Sequence, residues 1–154
     1  MTTELSALAR LLVYPRHQTL NELNKIDHIL QNSRHLDPHT KENLKIFTVA
    51  LSAAPMSALQ NIYLASFEED YKTLDLTQQN HESAEALKLL ENLYHEHGQD
   101  FSEKDVPHFL PAILEFLSTV SYNEALSWIK QAKPALRAID RKLLDVSSPW
   151  LAVT

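Results

Sequence analysis

Gly98 is the only glycine in this chain of 154 residues. Glycine provides the positive φ angles and close backbone approach that tight hairpins, phosphate-binding loops and dinucleotide fingerprints require. A single glycine cannot build such a loop, which excludes the common nucleotide-binding loops. Apolar residues recur at helical spacing along most of the chain, and no segment shows strand-like alternation of useful length. We therefore predict an all-α fold, a bundle of about six or seven helices in one domain covering residues 1–154.

Charge and composition narrow the possible functions. The chain has 14 basic and 20 acidic residues and a net charge of −6, which disfavours nucleic acid and acidic lipid surfaces and favours a basic partner. It has no cysteine, which excludes disulfides, thiolate metal sites and a cysteine nucleophile. No apolar run approaches the roughly 18 residues of a membrane span, and the first residues lack the basic region of an export signal. We expect a cytoplasmic protein without stable membrane insertion.

Helix-forming segments follow one another along the chain. Asp37 is placed as an N-cap before Pro38 at the first helical position, and Gly98 lies where a glycine ends a helix. Pro134 is expected to kink or split the last helix, because proline removes a backbone donor. Residues 72–81 carry the weakest pattern and are predicted to be a partly ordered connector. The predicted helices cover residues 3–14, 19–32, 38–53, 57–71, 82–97, 110–119 and 121–146.

The predicted helix over residues 110–119 has two contrasting faces. One face is apolar and wide enough to require burial, whereas the opposite face has small side chains and a single carboxylate. Two interpretations are open: a core helix with a quiet outer face, or one wall of a groove for a helical or extended guest. The apolar face consists of Leu110, Ile113, Leu114, Phe116 and Leu117. The opposite face consists of Pro111, Ala112, Glu115, Ser118 and Thr119.

The predicted helix over residues 57–71 ends in an acidic run beside aromatic residues. Negative charge at a helix C-terminus opposes the helix dipole by roughly a few tenths of a kcal/mol per group. The run is either a solvated charge cluster or a site for a basic partner. Core packing and ligand contact are both open explanations for the aromatic residues on one side of this helix. The acidic run is Glu68, Glu69 and Asp70, and the aromatic residues are Tyr63, Phe67 and Tyr71.

The eight histidines form no recognisable metal or catalytic motif. His95 and His97 lie about 200° apart on a helix and cannot share an ion there, whereas Glu91 and His95 can face the same way. No third ligand, nucleophile elbow or spacing that ties a nucleophile to a base accompanies them. From the residues alone, we expect an acidic helical binding module rather than a small hydrolase. No catalytic residue, metal or cofactor is assigned to the chain itself.

Four short strings stand in an order and spacing that are typical of a known family. They are LLVYP at residues 11–15, LQNIYLASFE at 59–68, VPHFLPAILEFL at 106–117 and SSPW at 147–150. They resemble, in turn, the opening, the LQxxYVxxFD string, the LPDHLPxxLEFL block and the RxSPY or RxSPW ending of the nitrate reductase delta subunit family. That family contains the NarJ-type molybdoenzyme maturation chaperones, related to TorD and DmsD.

The resemblance implies a cytoplasmic, non-catalytic, system-specific chaperone. Its partner would be the N-terminal peptide and apo form of a molybdopterin-dependent, nitrate reductase-like catalytic subunit. In the family, binding holds that subunit for insertion of the molybdopterin guanine dinucleotide cofactor before membrane docking or export. The alternative is an acidic all-α adaptor or structural subunit of a permanent complex. A monomer and a dimer are both open.

The expected peptide site combines an apolar groove with acidic rim residues. An amphipathic basic peptide can place its apolar side in a helix-lined groove while its cations meet carboxylates on the rim. The residues expected to supply apolar contacts are Tyr63, Phe67, Tyr71 and Leu114. The residues expected to supply charge are Glu68, Glu69, Asp70 and Glu115.

Overall fold

The computed structural model describes residues 2–67, 72–101 and 106–154. These residues form seven α-helices and no β-strand, so the all-α prediction is confirmed. Buried side chains from all seven helices join one hydrophobic core. The helices are α1 Thr2–Leu11, α2 His17–Gln31, α3 Pro38–Ala53, α4 Met56–Phe67, α5 Ala84–Glu96, α6 Leu110–Leu117 and α7 Tyr122–Asp145.

Local signals in the sequence set several helix ends. The Asp37 carboxylate accepts hydrogen bonds from the backbone N–H groups of His39 (2.9 Å) and Thr40 (3.0 Å), which confirms the predicted N-cap of α3. Gly98 follows α5 with φ of +73°, the left-handed conformation expected after a helix C-terminus. Ser121 and Glu124 form a reciprocal capping box at the start of α7, a signal that the sequence analysis missed.

Pro134 is predicted to kink or split the last helix; it lies inside α7, which runs without interruption from Tyr122 to Asp145, so a split does not occur. Neighbouring Ala132 and Ala135 are fully buried. This stretch of α7 is therefore anchored in the core on both sides of the proline. The long α7 therefore provides a continuous support for the rest of the bundle.

The segment predicted as a connector is more regular than expected. It forms the 3-10 helices Lys72–Leu74 and Leu76–Ser83. Leu74 and Leu76 are completely buried, and the Leu76 N–H donates to the His108 carbonyl at 3.0 Å. Burial of these two leucines supplies the order that the weak local pattern does not indicate.

Candidate peptide-binding groove

The aromatic side chains predicted to contact a peptide lie in a buried cluster. Tyr63 and Phe67 on α4 have no exposed surface, and their ring centroids are 4.6 Å apart. The Trp150 ring lies edge-on to both, at 5.3 Å from Tyr63 and 5.9 Å from Phe67. Such edge-to-face packing stabilises a core beyond simple burial of area. In this structure the two α4 rings therefore act as core anchors, and direct peptide contact by them stays a prediction that requires the cluster to open.

Hydrogen bonds tie the same cluster to the first helix. The Tyr63 hydroxyl donates to the Leu12 carbonyl at 2.6 Å, and the Trp150 indole N–H donates to the Leu11 carbonyl at 2.8 Å. The Ser148 hydroxyl donates to the Ser66 hydroxyl at 2.7 Å. These bonds satisfy polar groups that would be costly to bury unpaired.

Three of the four strings behind the family resemblance meet in this cluster. The strings at residues 11–15, 59–68 and 147–150 contribute the carbonyl acceptors, the α4 rings and the tryptophan, respectively. The strings therefore mark the packing core of the fold in the described residues. They carry information about architecture more directly than about a ligand.

The acidic run and one of the aromatic residues cannot be placed. Glu68, Glu69, Asp70 and Tyr71 lie outside the described residues, and their role in peptide binding stays a prediction.

The structure separates the two predicted residues of α6. Leu114 is buried, at 9% exposure, whereas Glu115 is exposed on the opposite face, as the helical wheel indicates. The Ser6 hydroxyl of α1 donates to both oxygens of the Glu115 carboxylate, at 3.2 and 3.1 Å. The first helix therefore packs beside the quiet face of α6. Helix α1 therefore occupies the position beside α6 at which a bound peptide was expected. A peptide contact by Glu115 stays a prediction.

An open apolar groove lies between α3 and the C-terminal 3-10 helix Pro149–Ala152. It has a volume of about 380 Å³. Ile46, which lines the groove, and Val49, which follows on the same helix, leave 62% and 53% of their surface exposed. The groove is lined by Asn43, Ile46, Phe47, Ala50, Pro149, Leu151 and Ala152.

A second groove of about 360 Å³ continues the first towards α1. The two share Asn43, Leu151 and Ala152, so together they form one channel along α3, called the α3 groove below. Leu8 and Leu36 add further apolar lining to the second half. The combined volume is within the range that accommodates several side chains of a bound helix or strand.

Phe47 connects the α3 groove to the buried aromatic cluster. Its side chain lines the groove, and its ring lies edge-on to Trp150 at a centroid distance of 5.5 Å. The predicted rings of Tyr63 and Phe67 therefore lie one layer beneath the groove surface. The sequence did contain a signal for this site, because α3 carries apolar residues at positions 46, 47, 49 and 50, more than one buried face can take.

Carboxylates border the α3 groove at its second half. Asp37 lies next to the lining residue Thr40, whose hydroxyl and backbone N–H hydrogen bonds hold the pKa of Asp37 below its usual value. The Asp140 carboxylate accepts a hydrogen bond from the lining residue Thr154. Lys45 of α3 is bound to Asp27 of α2, which engages its positive charge away from the groove lining. The groove thus combines an apolar floor with negative charge at one end.

The histidines noted in the sequence make local pairs. His95 contacts Asp100 at 2.6 Å, and His97 contacts Glu124 at 2.9 Å. Within the described ranges, no three histidine or carboxylate side chains come together as a metal site. Over the same residues, no helix has both the length and the apolar character needed to span a bilayer.

The described helices thus form an all-helical body with an apolar, acid-bordered groove. No protein-family model matches the chain. The chain is similar to the nitrate reductase molybdenum cofactor assembly chaperone NarJ of Escherichia coli K12, with 26% identity over 152 residues. NarJ of Escherichia coli O157:H7 matches with the same identity and length.

The alignment covers 96% of this chain and 64% of each relative, so the chain spans less than two thirds of the length of the curated relatives it matches. The similarity supports the NarJ-type family suggested by the four strings. The relatives are chaperones by name and not enzymes.

Proposed function

We propose that the chain is a cytoplasmic, non-enzymatic maturation chaperone for a nitrate reductase-like molybdenum-containing catalytic subunit. It binds the N-terminal peptide of the apo subunit and holds it for cofactor insertion before membrane docking or export. The similarity to NarJ along 96% of the chain is the observation that carries this proposal. The relation to TorD and DmsD is part of the same proposal.

The α3 groove is the surface that suits such a peptide best. An amphipathic helix can place its apolar residues against Ile46, Ala50 and Leu151, with Phe47 as the floor. Its Lys and Arg residues then face the Asp37 and Asp140 end. Electrostatic complementarity of this kind accelerates encounter and sets the direction in which the peptide lies.

A binding experiment with the whole subunit tests the function. The chain is co-produced with the nitrate reductase catalytic subunit of its own organism, in cells that do or do not make the molybdenum cofactor. A chaperone copurifies with the apo subunit and is released from the loaded one. Equal recovery with both forms supports a permanent adaptor or structural subunit instead, and recovery with neither form rejects both functions.

The acidic run outside the described residues has its own test. The N-terminal peptide of the catalytic subunit is called the leader peptide below. Reversing Glu68, Glu69 and Asp70 to Lys should slow association of a basic leader peptide and flatten the salt dependence of the rate, because the electrostatic attraction between these carboxylates and the peptide is removed. Stopped-flow fluorescence at several salt concentrations measures both. Unchanged rates would remove this run from the site.

A further inference from the structure

A concave pocket at the junction of the first two helices is separate from the α3 groove. It lies where α1 passes into α2, has a volume of about 520 Å³, and shares no lining residue with the groove. Arg10, Arg16, Gln18 and Thr19 line it with hydrogen-bond donors, and Tyr14 and Val13 provide an aromatic and an aliphatic wall. We propose that this pocket, called the arginine pocket below, binds a small molecule that carries a phosphoryl group.

The guanidinium groups in the arginine pocket are weakly engaged. Arg10 reaches Glu22 at 3.6 Å and the Ser6 hydroxyl at 3.4 Å, both at the long end for such contacts, and its side chain is 38% exposed. Arg16 is exposed and makes no side-chain hydrogen bond or ion pair with the residues described. Two fork-shaped groups with free donors match the several oxygens of a phosphoryl group.

The local charge also contrasts with the rest of the molecule. The whole chain has a net charge of −6, whereas the pocket holds two arginines against one carboxylate, Glu22. The first turn of α2 contributes Gln18 and Thr19, so the positive end of that helix adds to the field of the two guanidinium groups. An anion repelled by the surface as a whole is therefore attracted at this position.

The walls of the arginine pocket are held in place before any ligand arrives. The Gln60 side-chain amide donates to the Pro15 carbonyl at 3.0 Å, and the Tyr14 ring lies edge-on to Tyr63 at 5.7 Å. The turn between α1 and α2 is thus fixed to α4. A preformed pocket of this size falls in the range of small-molecule sites, and pre-organisation lowers the entropic penalty of binding.

Titration of the full-length protein with inorganic pyrophosphate tests this assignment. Isothermal calorimetry at low salt should show saturable binding to the wild type. Arg10→Ala and Arg16→Ala should each weaken it about tenfold, while Arg137→Ala, an exposed arginine on α7, should leave it unchanged. Glu22→Gln should strengthen binding several-fold, because it removes the one carboxylate in the pocket. A misfolded variant would not produce such a gain.

Two further measurements, acetate binding and leader-peptide affinity, distinguish the possible outcomes. Acetate binding as tight as pyrophosphate binding would identify a carboxylate site and overturn the phosphoryl assignment. No saturable signal, or equal losses in Arg10→Ala and Arg137→Ala, would overturn the site itself. Leader-peptide affinity measured on the same variants should not change, because the α3 groove lies elsewhere. Failure of this site therefore leaves the chaperone proposal unaffected.

Discussion

Two neighbouring apolar surfaces, on α4 and on α3, differ in their exposure. Tyr63 and Phe67 on α4 are the more conspicuous residues in the sequence, yet they are fully buried. Ile46 and Val49 on α3 are plain aliphatic residues, yet more than half of their surface is exposed. Large rings with a polar atom are efficient core anchors because they bury much area and satisfy a backbone group at once. The comparison teaches that the apolar excess on a helix, more than its aromatic content, indicates where apolar side chains stay exposed.

The largest effect is expected from Trp150→Ala. Removing a fully buried ring that packs on three others and leaving the Leu11 carbonyl unpaired should lower the free energy of unfolding by about 3–5 kcal/mol. Chemical denaturation measures it, with Leu144→Ala at a 63% exposed side chain as a control of small effect. If Trp150→Ala is as mild as the control, the cluster is not the core anchor described here.

The double variant Ile46→Ser, Ala50→Ser changes two residues that line the α3 groove and sharpens the other side of the comparison. Both side chains are exposed, so each change should alter unfolding free energy by no more than about 0.5 kcal/mol. Leader-peptide affinity should fall about tenfold or more, because the apolar contact is lost. Leu144→Ser is a matched control, since Leu144 is 63% exposed and lies outside the α3 groove. Equal affinity in the double variant and the control would exclude the groove.

Tyr63→Phe tests the buried aromatic cluster by removing one oxygen atom. The change keeps the ring but removes the 2.6 Å hydrogen bond to the Leu12 carbonyl, which should lower unfolding free energy by about 1–2 kcal/mol. Peptide affinity should be unchanged, because the hydroxyl is not at the surface. A variant of normal stability with weakened peptide binding would reverse the assignment and return Tyr63 to the peptide site.

The smallest expected effect is on the stability of the protein at low pH. It arises at the start of α7, away from the α3 and α4 surfaces. Hydrogen bonds from Ser121, and then from His97, lower the pKa of Glu124 from 4.5 to about 2. Because the folded state favours the charged form, this contribution is complete above pH 4.5 and is lost as the pH falls towards 2.

Melting temperatures between pH 6 and pH 2.5 measure this contribution. The temperature should fall less steeply with acid in Glu124→Gln than in the wild type, whereas Ser121→Ala, which breaks the cap directly, should already be less stable at pH 6. Identical slopes for Glu124→Gln and the wild type would remove Glu124 from the acid response.

The sequence predicted those features that neighbouring residues determine. The N-cap at Asp37 and the glycine stop at Gly98 depend on contacts within a few positions, and both are confirmed. The order of residues 72–83 depends on burial of Leu74 and Leu76 under distant elements, so a local pattern could not show it. The apolar excess of α3 is visible in the sequence, but the groove itself depends on how the C-terminal 3-10 helix docks, which no spacing along α3 specifies.

The hydrogen bond from Trp150 to the Leu11 carbonyl joins residues 139 positions apart. During translation the first helix leaves the ribosome long before Trp150 has been made, so the Leu11 carbonyl at its end must wait for its buried partner. Contacts of such high sequence separation are slow to form, and this one cannot form before residue 150 has been synthesised. A nascent chain stalled short of that position should remain sensitive to protease and dependent on general holdases.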